Sequence, residues 1–303
     1  MRVLVTGSRG FVGPWLAEHL TLSGDEVVEL APGTDVTDAG SLAGAVEHAA
    51  PEAICHLAAQ SSVRVSWEDP AGTFAVNAVG TLNLCAAAMR LAPAPRVLVV
   101  SSAEVYGKVP PELMPVVEDQ PFAPATPYAS SKVAAEMVGL QAWLGRGLPV
   151  VRARSFNHTG PGQPRGFVVP DLAAQVAAAA RGDTKEILTG NLGVSRDITD
   201  VRDVVRAYRL LLVSGEPGEA YNVCCGEATV LSDILARLVA LAGVDVPVRV
   251  DPGRARPADV PVHVGSRAKL HALTGWSPEI PLDRTLAEVF ESQLAAGAST
   301  QGQ

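Results

Sequence analysis

The chain alternates short, nearly all-apolar runs with longer stretches whose apolar positions recur every three or four residues. The short runs are Arg2–Thr6, Glu26–Leu30, Ala53–Leu57, Val97–Ser101, Val150–Arg154 and Ala220–Val223. Their length and their valine content predict buried strands. The longer periodic stretches predict helices over Pro14–Leu22, Ser41–Ala49, Thr73–Arg90 and Tyr128–Leu144. Further helices are expected near Pro170–Ala180, Leu231–Ala242 and Leu282–Leu294, and Asp200–Val213 is expected to rejoin the first domain. Regular strand–helix succession predicts an α/β fold whose mostly parallel sheet is covered on both faces. Right-handed crossovers make such a sheet doubly wound, with ligands bound beyond the carboxyl ends of its strands.

The first strand-to-helix turn, Thr6-Gly-Ser-Arg-Gly-Phe-Val-Gly13, carries glycines at 7, 10 and 13. After a strand and before a helix, that spacing allows a tight turn, backbone approach to a pyrophosphate and close helix packing. It predicts a Rossmann-like dinucleotide site built from Gly7, Arg9, Gly10, Phe11, Val12 and Gly13. The second strand bears on cofactor choice. A carboxylate at its end would bond the ribose 2′-hydroxyl of NAD and repel the 2′-phosphate of NADP. Here that slot falls at Ala31, and Arg9 in the glycine turn is placed to pair with a 2′-phosphate. The expectation is NADP(H), with NAD(H) favoured instead if the register shifts by two and brings Glu29 to the slot. Asp35 and Val36, in the next turn, are expected near the adenine. His56-Leu-Ala-Ala-Gln60 closes the third strand at the same sheet edge, and its small residues leave room for ribose and nicotinamide. His56 itself reads as a structural histidine.

The most distinctive chemistry lies in Tyr128-Ala-Ser-Ser-Lys132. On a helix, residues four apart share one face. A free tyrosine has a pKa of about 10, and bringing it to about 7 takes roughly 4 kcal/mol. A lysine one turn away, joined by the positive charge of an oxidised nicotinamide, is a source for that shift. The strand ending at Ser101-Ser-Ala-Glu-Val-Tyr-Gly107 brings Ser102 and Glu104 to the same edge, where Ser102 suits the C4 oxygen of a sugar.

Composition narrows the alternatives. A chain of 303 residues, 48% hydrophobic, supports one large domain or two modest ones. Its net charge of −8 argues against a nucleic-acid partner. No apolar run is long enough to suggest a membrane partner. The first strand starts at residue 2, so the expectation is a cytoplasmic chain without a leader. Cys55, Cys85, Cys224 and Cys225 lack metal-ligand spacing and are expected as free thiols, with no metal site.

The glycine turn, His56–Gln60, Ser101–Gly107 and Tyr128–Lys132 together resemble the extended short-chain dehydrogenases/reductases that modify nucleotide sugars. The likeness extends over nearly the whole chain. In its second half, Arg154–Gln163, Gly190–Asp203, Tyr221–Gly226 and Thr274–Leu282 are similar to the GDP-6-deoxy-D-mannose reductases. Those enzymes reduce the C4 ketone of GDP-4-keto-6-deoxy-D-mannose to GDP-D-rhamnose. The resemblance implies Tyr128 as proton donor, Lys132 as its partner and a ligand of the nicotinamide ribose, and Ser102 orienting the C4 oxygen. It implies further cofactor contacts at Leu57, Ala58, Ala59, Asn77 and Ser101. Ser61, Asn157 and Val168 would touch the nucleotide sugar, and Arg196 and Arg256 would clamp its diphosphate.

The same frame serves dehydratases and decarboxylases, which use a glutamate at the place of Glu104 as base, and 4-epimerases. The short loop from Leu30 to Asp35 suits the reductases better. A nucleotide-sugar or NADP-binding protein without turnover is the remaining alternative. A dinucleotide domain is expected over residues 1–157 plus about 197–225, with a discontinuous substrate lobe over about 158–196 and 226–303. The family also implies a homodimer joined by a four-helix interface of Thr73–Arg90 and Tyr128–Leu144.

Overall fold

A computed structural model describes residues 1–251, 253 and 260–300. The chain begins β1 (Arg2–Thr6), α1 (Val12–Leu22), β2 (Glu26–Glu29), α2 (Ala39–Ala49) and β3 (Ala53–His56). Next come α3 (Val63–Glu68), α4 (Pro70–Phe74), a π-helical turn (Ala75–Val79), α5 (Gly80–Ala88) and β4 (Arg96–Ser102). A 3-10 turn (Ala103–Tyr106) leads towards α6 (Pro127–Arg146), β5 (Val150–Ser155) and β6 (Asn157–Thr159). The chain continues through α7 (Val168–Ala180), β7 (Ile187–Thr189), β8 (Ser195–Asp200), α8 (Val201–Ser214) and β9 (Ala220–Val223). It closes with β10 (Ala228–Val230), α9 (Leu231–Ala242), β11 (Val248–Val250), β12 (Val262–His263), α10 (Ala268–Thr274) and α11 (Leu282–Thr300).

The six strands expected from the sequence form one sheet in the order β2-β1-β3-β4-β5-β9, every pairing parallel. Strand order reverses between β1 and β3, which opens a ligand crevice beyond their carboxyl ends. The strands read as continuous apolar runs because both faces are covered. On one face Val3, Val5, Cys55 and Leu98 meet Leu16, Tyr208 and Leu211. On the other, Leu4, Ile54, Val97 and Val99 meet Leu42, Val46, Leu84 and Ala142. No strand lies between β2 and α2, so β2 is the sheet edge, as the short loop after Leu30 suggested.

A second core gathers α7, α9 and α11 around Val176, Ile187, Ile198, Leu238 and Leu286. It adjoins a small sheet, β10-β8-β12 with β6 beside β8, and a β7–β11 pair. β6, β7, β8, β10, β11 and β12 were not read from the sequence. Leu270 and Trp276 lie in the stretch expected in the second lobe, yet they pack into the first core.

The helix expected over Thr73–Arg90 differs in detail. A continuous helical run starts earlier, at Pro70, and is interrupted by the π turn that holds Asn77. Such bulges concentrate at functional sites. The run Pro70–Ala88 is apolar along 19 residues, long enough to span a bilayer, but half of it is buried inside the protein. It packs against α2 and α6 as a core helix.

Candidate active site

α6 begins where it does for local reasons. Thr126 caps it by accepting the amide of Ala129 at 3.0 Å, and Pro127 occupies the first helical position. Tyr128 therefore stands in the first turn, with Lys132 and Glu136 one and two turns below on the same face. β4 ends opposite it at Ser102, whose hydroxyl accepts the amide of Glu104 at 3.2 Å and is hydrogen-bonded to the Tyr128 hydroxyl. The structure thus brings Ser102, Tyr128 and Lys132 together, with Glu104 close enough to act on the phenol.

The electrostatics differ from the sequence expectation. Burial pushes the Tyr128 phenol up to about 12; the Ser102 hydrogen bond opposes this and the Glu104 carboxylate adds to it. In the protein by itself the phenol is a protonated acid rather than a phenolate. Lys132 is 6% exposed and donates from Nζ to the carbonyl of Val100 at 2.9 Å. Burial brings its pKa down to about 8, and the Glu136 carboxylate is the group that opposes this fall. In the protein by itself the Lys132 ammonium does not offset the burial of the phenol; the expected drop towards 7 also drew on the charge of an oxidised nicotinamide.

Asn77 joins two parts of the site. Its Oδ1 accepts the amide of Gln60 at 2.8 Å, and its Nδ2 donates to the Gln60 carbonyl at 3.0 Å and to Ser131 Oγ at 2.8 Å. Ser131 in turn donates to the carbonyl of Tyr128 at 2.7 Å. The loop after β3 is thereby tied to the first turn of α6. His56 is 3% exposed and bonded on both ring nitrogens, to Thr6 Oγ1 at 2.7 Å and Thr81 Oγ1 at 3.1 Å. Burial, aided by Lys132, lowers its pKa to about 3, so it is neutral and structural.

The glycine turn fits a dinucleotide. A Cβ on Gly7, whose φ is +69°, would lie 2.7 Å from the amide nitrogen of Ala58, and one on Gly13 would lie 2.0 Å from the Ser8 carbonyl oxygen. The first turn of α1 has no acidic residue and its N-cap, Phe11, makes no side-chain cap bond. Gly13 donates its amide to the Gly10 carbonyl at 3.2 Å and Pro14 has none, so the Val12 amide and the helix dipole are what this end offers an anion. Arg9 and Gly10 are exposed, and Val12 is half-buried. Glu29 is the last residue of β2, exposed and paired in register with Val5, and Ala31 lies two residues past the strand end.

Asp35 is exposed and accepts the amide of Thr37 at 2.8 Å. Val36 turns its side chain into the core, 7% exposed. Leu57, Ala58 and Ala59 are half-buried along the crevice, and Ser61 is exposed at its edge. Ser101 commits its hydroxyl to Glu136 Oε1 at 2.6 Å, beneath the site.

On the opposite bank, Asn157 is exposed at the start of β6. The next residue, His158, stacks on Phe11 with ring centroids 6.2 Å apart and planes inclined by 7°. Trp15 donates to the Pro161 carbonyl at 3.3 Å, so the loop after β6 closes on α1. Val168 opens α7, half-buried against the second core. Arg196 donates to the carbonyls of Ser195 at 2.9 Å and Val260 at 2.7 Å. Its neighbour Asp197, wholly buried, accepts the amides of Cys225 at 2.8 Å, Gly226 at 2.9 Å and Gly265 at 3.2 Å. That carboxylate, on β8, ties the segment after β9 of the main sheet to the segment after β12 of the small sheet. Arg256, expected to clamp the diphosphate, lies outside the described residues. Among the described residues no cluster of His, Cys, Asp or Glu is arranged to hold a metal, and the four cysteines are free.

The sequence reading missed a buried charge network under α6. Glu136 has no exposed surface. Arg154 reaches it from Nε at 3.0 Å and Nη2 at 2.9 Å, and Arg152 from Nη1 at 3.4 Å. Arg154 Nη1 also donates to Tyr106 at 3.0 Å, and Tyr106 donates to Asn222 Oδ1 at 2.7 Å. Two signals pointed here: the Tyr128–Lys132 spacing repeats at Glu136, and two arginines interrupt an otherwise apolar strand.

The family model described as GDP-mannose 4,6 dehydratase matches residues 32–289. The GDP-6-deoxy-D-mannose reductase of Pseudomonas aeruginosa is 38% identical over 292 residues, covering 95% of this chain and 96% of that one. A GDP-mannose 4,6-dehydratase of Vibrio cholerae is 29% identical over 295 residues, covering 88% and 79%. Among solved structures, RMD from Pseudomonas aeruginosa complexed with NADPH superposes with a TM-score of 0.92 at 35% identity, covering 98% of this chain and all of that one.

Proposed function

The chain belongs to the GDP-mannose 4,6-dehydratase family of extended short-chain dehydrogenases/reductases, and from that premise we propose that it is an NADPH-dependent reductase of a nucleotide-linked 4-keto-6-deoxyhexose. The substrate that fits the resemblance is GDP-4-keto-6-deoxy-D-mannose, and the product is GDP-D-rhamnose. One observation carries the reading: the chain is 38% identical along 95% of its length to a GDP-6-deoxy-D-mannose reductase, and Tyr128 stands beside Ser102 at the carboxyl edge of the sheet, where a reductase needs an acid for the C4 oxygen.

In this reading the glycine turn and the Val12 amide of α1 hold the pyrophosphate, Arg9 pairs with the 2′-phosphate, and Asp35 and Val36 border the adenine. The side chain of Val36 being in the core, its contribution is its backbone. When bound, the reduced nicotinamide supplies the hydride for C4. Ser102 orients the C4 oxygen. Tyr128 delivers its proton to that oxygen as negative charge grows there, a role worth about 10²–10⁴-fold. Lys132 holds the ribose hydroxyls and offsets the charge left on the phenol. Asn157 and Arg196 bind the substrate diphosphate from the second lobe, and Ser61 and Val168 flank the sugar. Fixing the nucleotide in this way lowers the entropic part of the barrier by several kcal/mol.

The dinucleotide domain comprises residues 1–157 and about 197–225, joined by α10 and Trp276; the rest forms the substrate lobe. Phe74, Val79 and Leu82 on the α4–α5 run and Met137 and Leu144 on α6 are exposed, which supports a homodimer through these helices. Free thiols and a need for NADPH suit the cytoplasm.

The purified protein is tested with NADPH and GDP-4-keto-6-deoxy-D-mannose. Oxidation of one NADPH per sugar reduced is the expected result. Unchanged NADPH with a rearranged sugar would establish an epimerase. Glu104, half-buried beside the phenol, keeps the dehydratase as the second reading, and conversion of GDP-mannose without added reductant would establish that instead.

A further inference from the structure

Glu136 has no exposed surface, yet its carboxylate is bonded to both strands that flank α6 at the site, β4 and β5. It accepts Ser101 Oγ at 2.6 Å, one residue before Ser102 on β4. It accepts Arg154, one residue before the Ser155–Phe156 end of β5. It also sits one turn below Lys132 on α6 and opposes the loss of that ammonium's proton. A carboxylate with no exposure is costly unless it is fully bonded, and four donor nitrogens and hydroxyls bond this one. If the network served only to neutralise two arginines, it would need no bond to Ser101 and no place on the Tyr128–Lys132 face.

We propose that Glu136 is a positioning residue: it keeps the Lys132 ammonium charged and pins the end of β4 so that Ser102 stays in register with Tyr128. This rests on the assignment of Tyr128 and Lys132 to proton transfer. The charged and titratable groups packed around Lys132 and Glu136 are His56 from β3, Arg152 and Arg154 from β5, and Glu104 and Tyr106 from the 3-10 turn. Tyr128 shares their helix, and Glu118 and Glu219 approach the arginines from outside. His56 is neutral throughout the working range and the arginines remain charged. Lys132 is therefore the group whose ionisation in the neutral-to-alkaline range answers to Glu136.

The test follows the 13Cε resonance of Lys132, assigned by its absence in Lys132→Met, through a pH titration of the nucleotide-free protein. The wild-type midpoint is expected near 8. Glu136→Gln is expected to lower it by one pH unit or more, and Glu136→Asp to restore most of the shift. Turnover of the Gln variant should fall at least tenfold in kcat with little change in the KM for NADPH. An unchanged midpoint in folded Glu136→Gln overturns the proposal, whatever the substrate proves to be. Because removing the carboxylate strands two buried arginines, Ser101→Ala is the second arm. It leaves the ion pairs intact and should lower kcat about tenfold without moving the Lys132 midpoint; wild-type kcat there overturns the pinning role. Failure of the reductase reading would appear separately, as a wild-type protein that leaves NADPH unoxidised.

Discussion

Replacing Tyr128 by phenylalanine removes one hydroxyl from a ring that is 9% exposed and leaves its packing in place. With the phenol at about 12, only about one molecule in 10⁵ carries the phenolate at pH 7. Essentially the whole population holds the proton that the reaction consumes. Without it, the growing alkoxide must take a proton from water, and a positioned general acid is worth about 10²–10⁴-fold. That corresponds to about 3–5 kcal/mol of barrier. The structural cost is smaller. One hydrogen bond, to Ser102, is lost, for about 1 kcal/mol, and removing a buried hydroxyl returns part of it. The variant should therefore melt within a few degrees of wild type, bind NADPH with unchanged affinity by fluorescence titration, and turn over at least a hundredfold more slowly in a stopped-time assay of NADPH loss. A folded Tyr128→Phe protein with kcat within tenfold of wild type would refute the assignment of the acid.

Lys132 carries a pH signature in stability. Its folded pKa lies below the unfolded 10.5, at about 8, so between those values the unfolded chain binds more protons and stability rises with pH. The penalty of burying the ammonium, roughly 3 kcal/mol, is fully present below pH 8. Melting curves should show wild type gaining on Lys132→Met as pH rises from 8 to 10, and a constant gap would contradict the burial argument. Cofactor choice rests on Ala31 and Arg9: Ala31→Asp should lower kcat/KM for NADPH relative to NADH by about tenfold, near 1.4 kcal/mol, and Arg9→Ala should act in the same direction. No change in the ratio for either variant would remove that account. For the proposed homodimer, wild type should sediment at twice the chain mass and Leu82→Asp, at a side chain 47% exposed on α5, at the monomer mass in sedimentation velocity; a monomeric wild type or an unchanged variant mass excludes that face.

The apolar runs and the glycine turn were sufficient to read a doubly wound sheet and its carboxyl edge, because strand burial on both faces and a backbone-to-backbone turn leave their mark in local sequence. The Tyr128–Lys132 face was legible for the same reason, since helical spacing is a local property. What tertiary structure alone decided was the state of these groups. The sign of the Tyr128 shift depends on how much water the packed α6 and β4 exclude, which no spacing records. The role of Glu136 depends on β4 and β5 bringing Ser101 and Arg154 to it across the sheet. The register that sets Glu29 beside Val5, and the bond from the Gln60 amide to Asn77 in the π turn, are likewise contacts between distant parts of the chain. Local pattern specifies which residues can share a face; desolvation and long-range pairing set their charge.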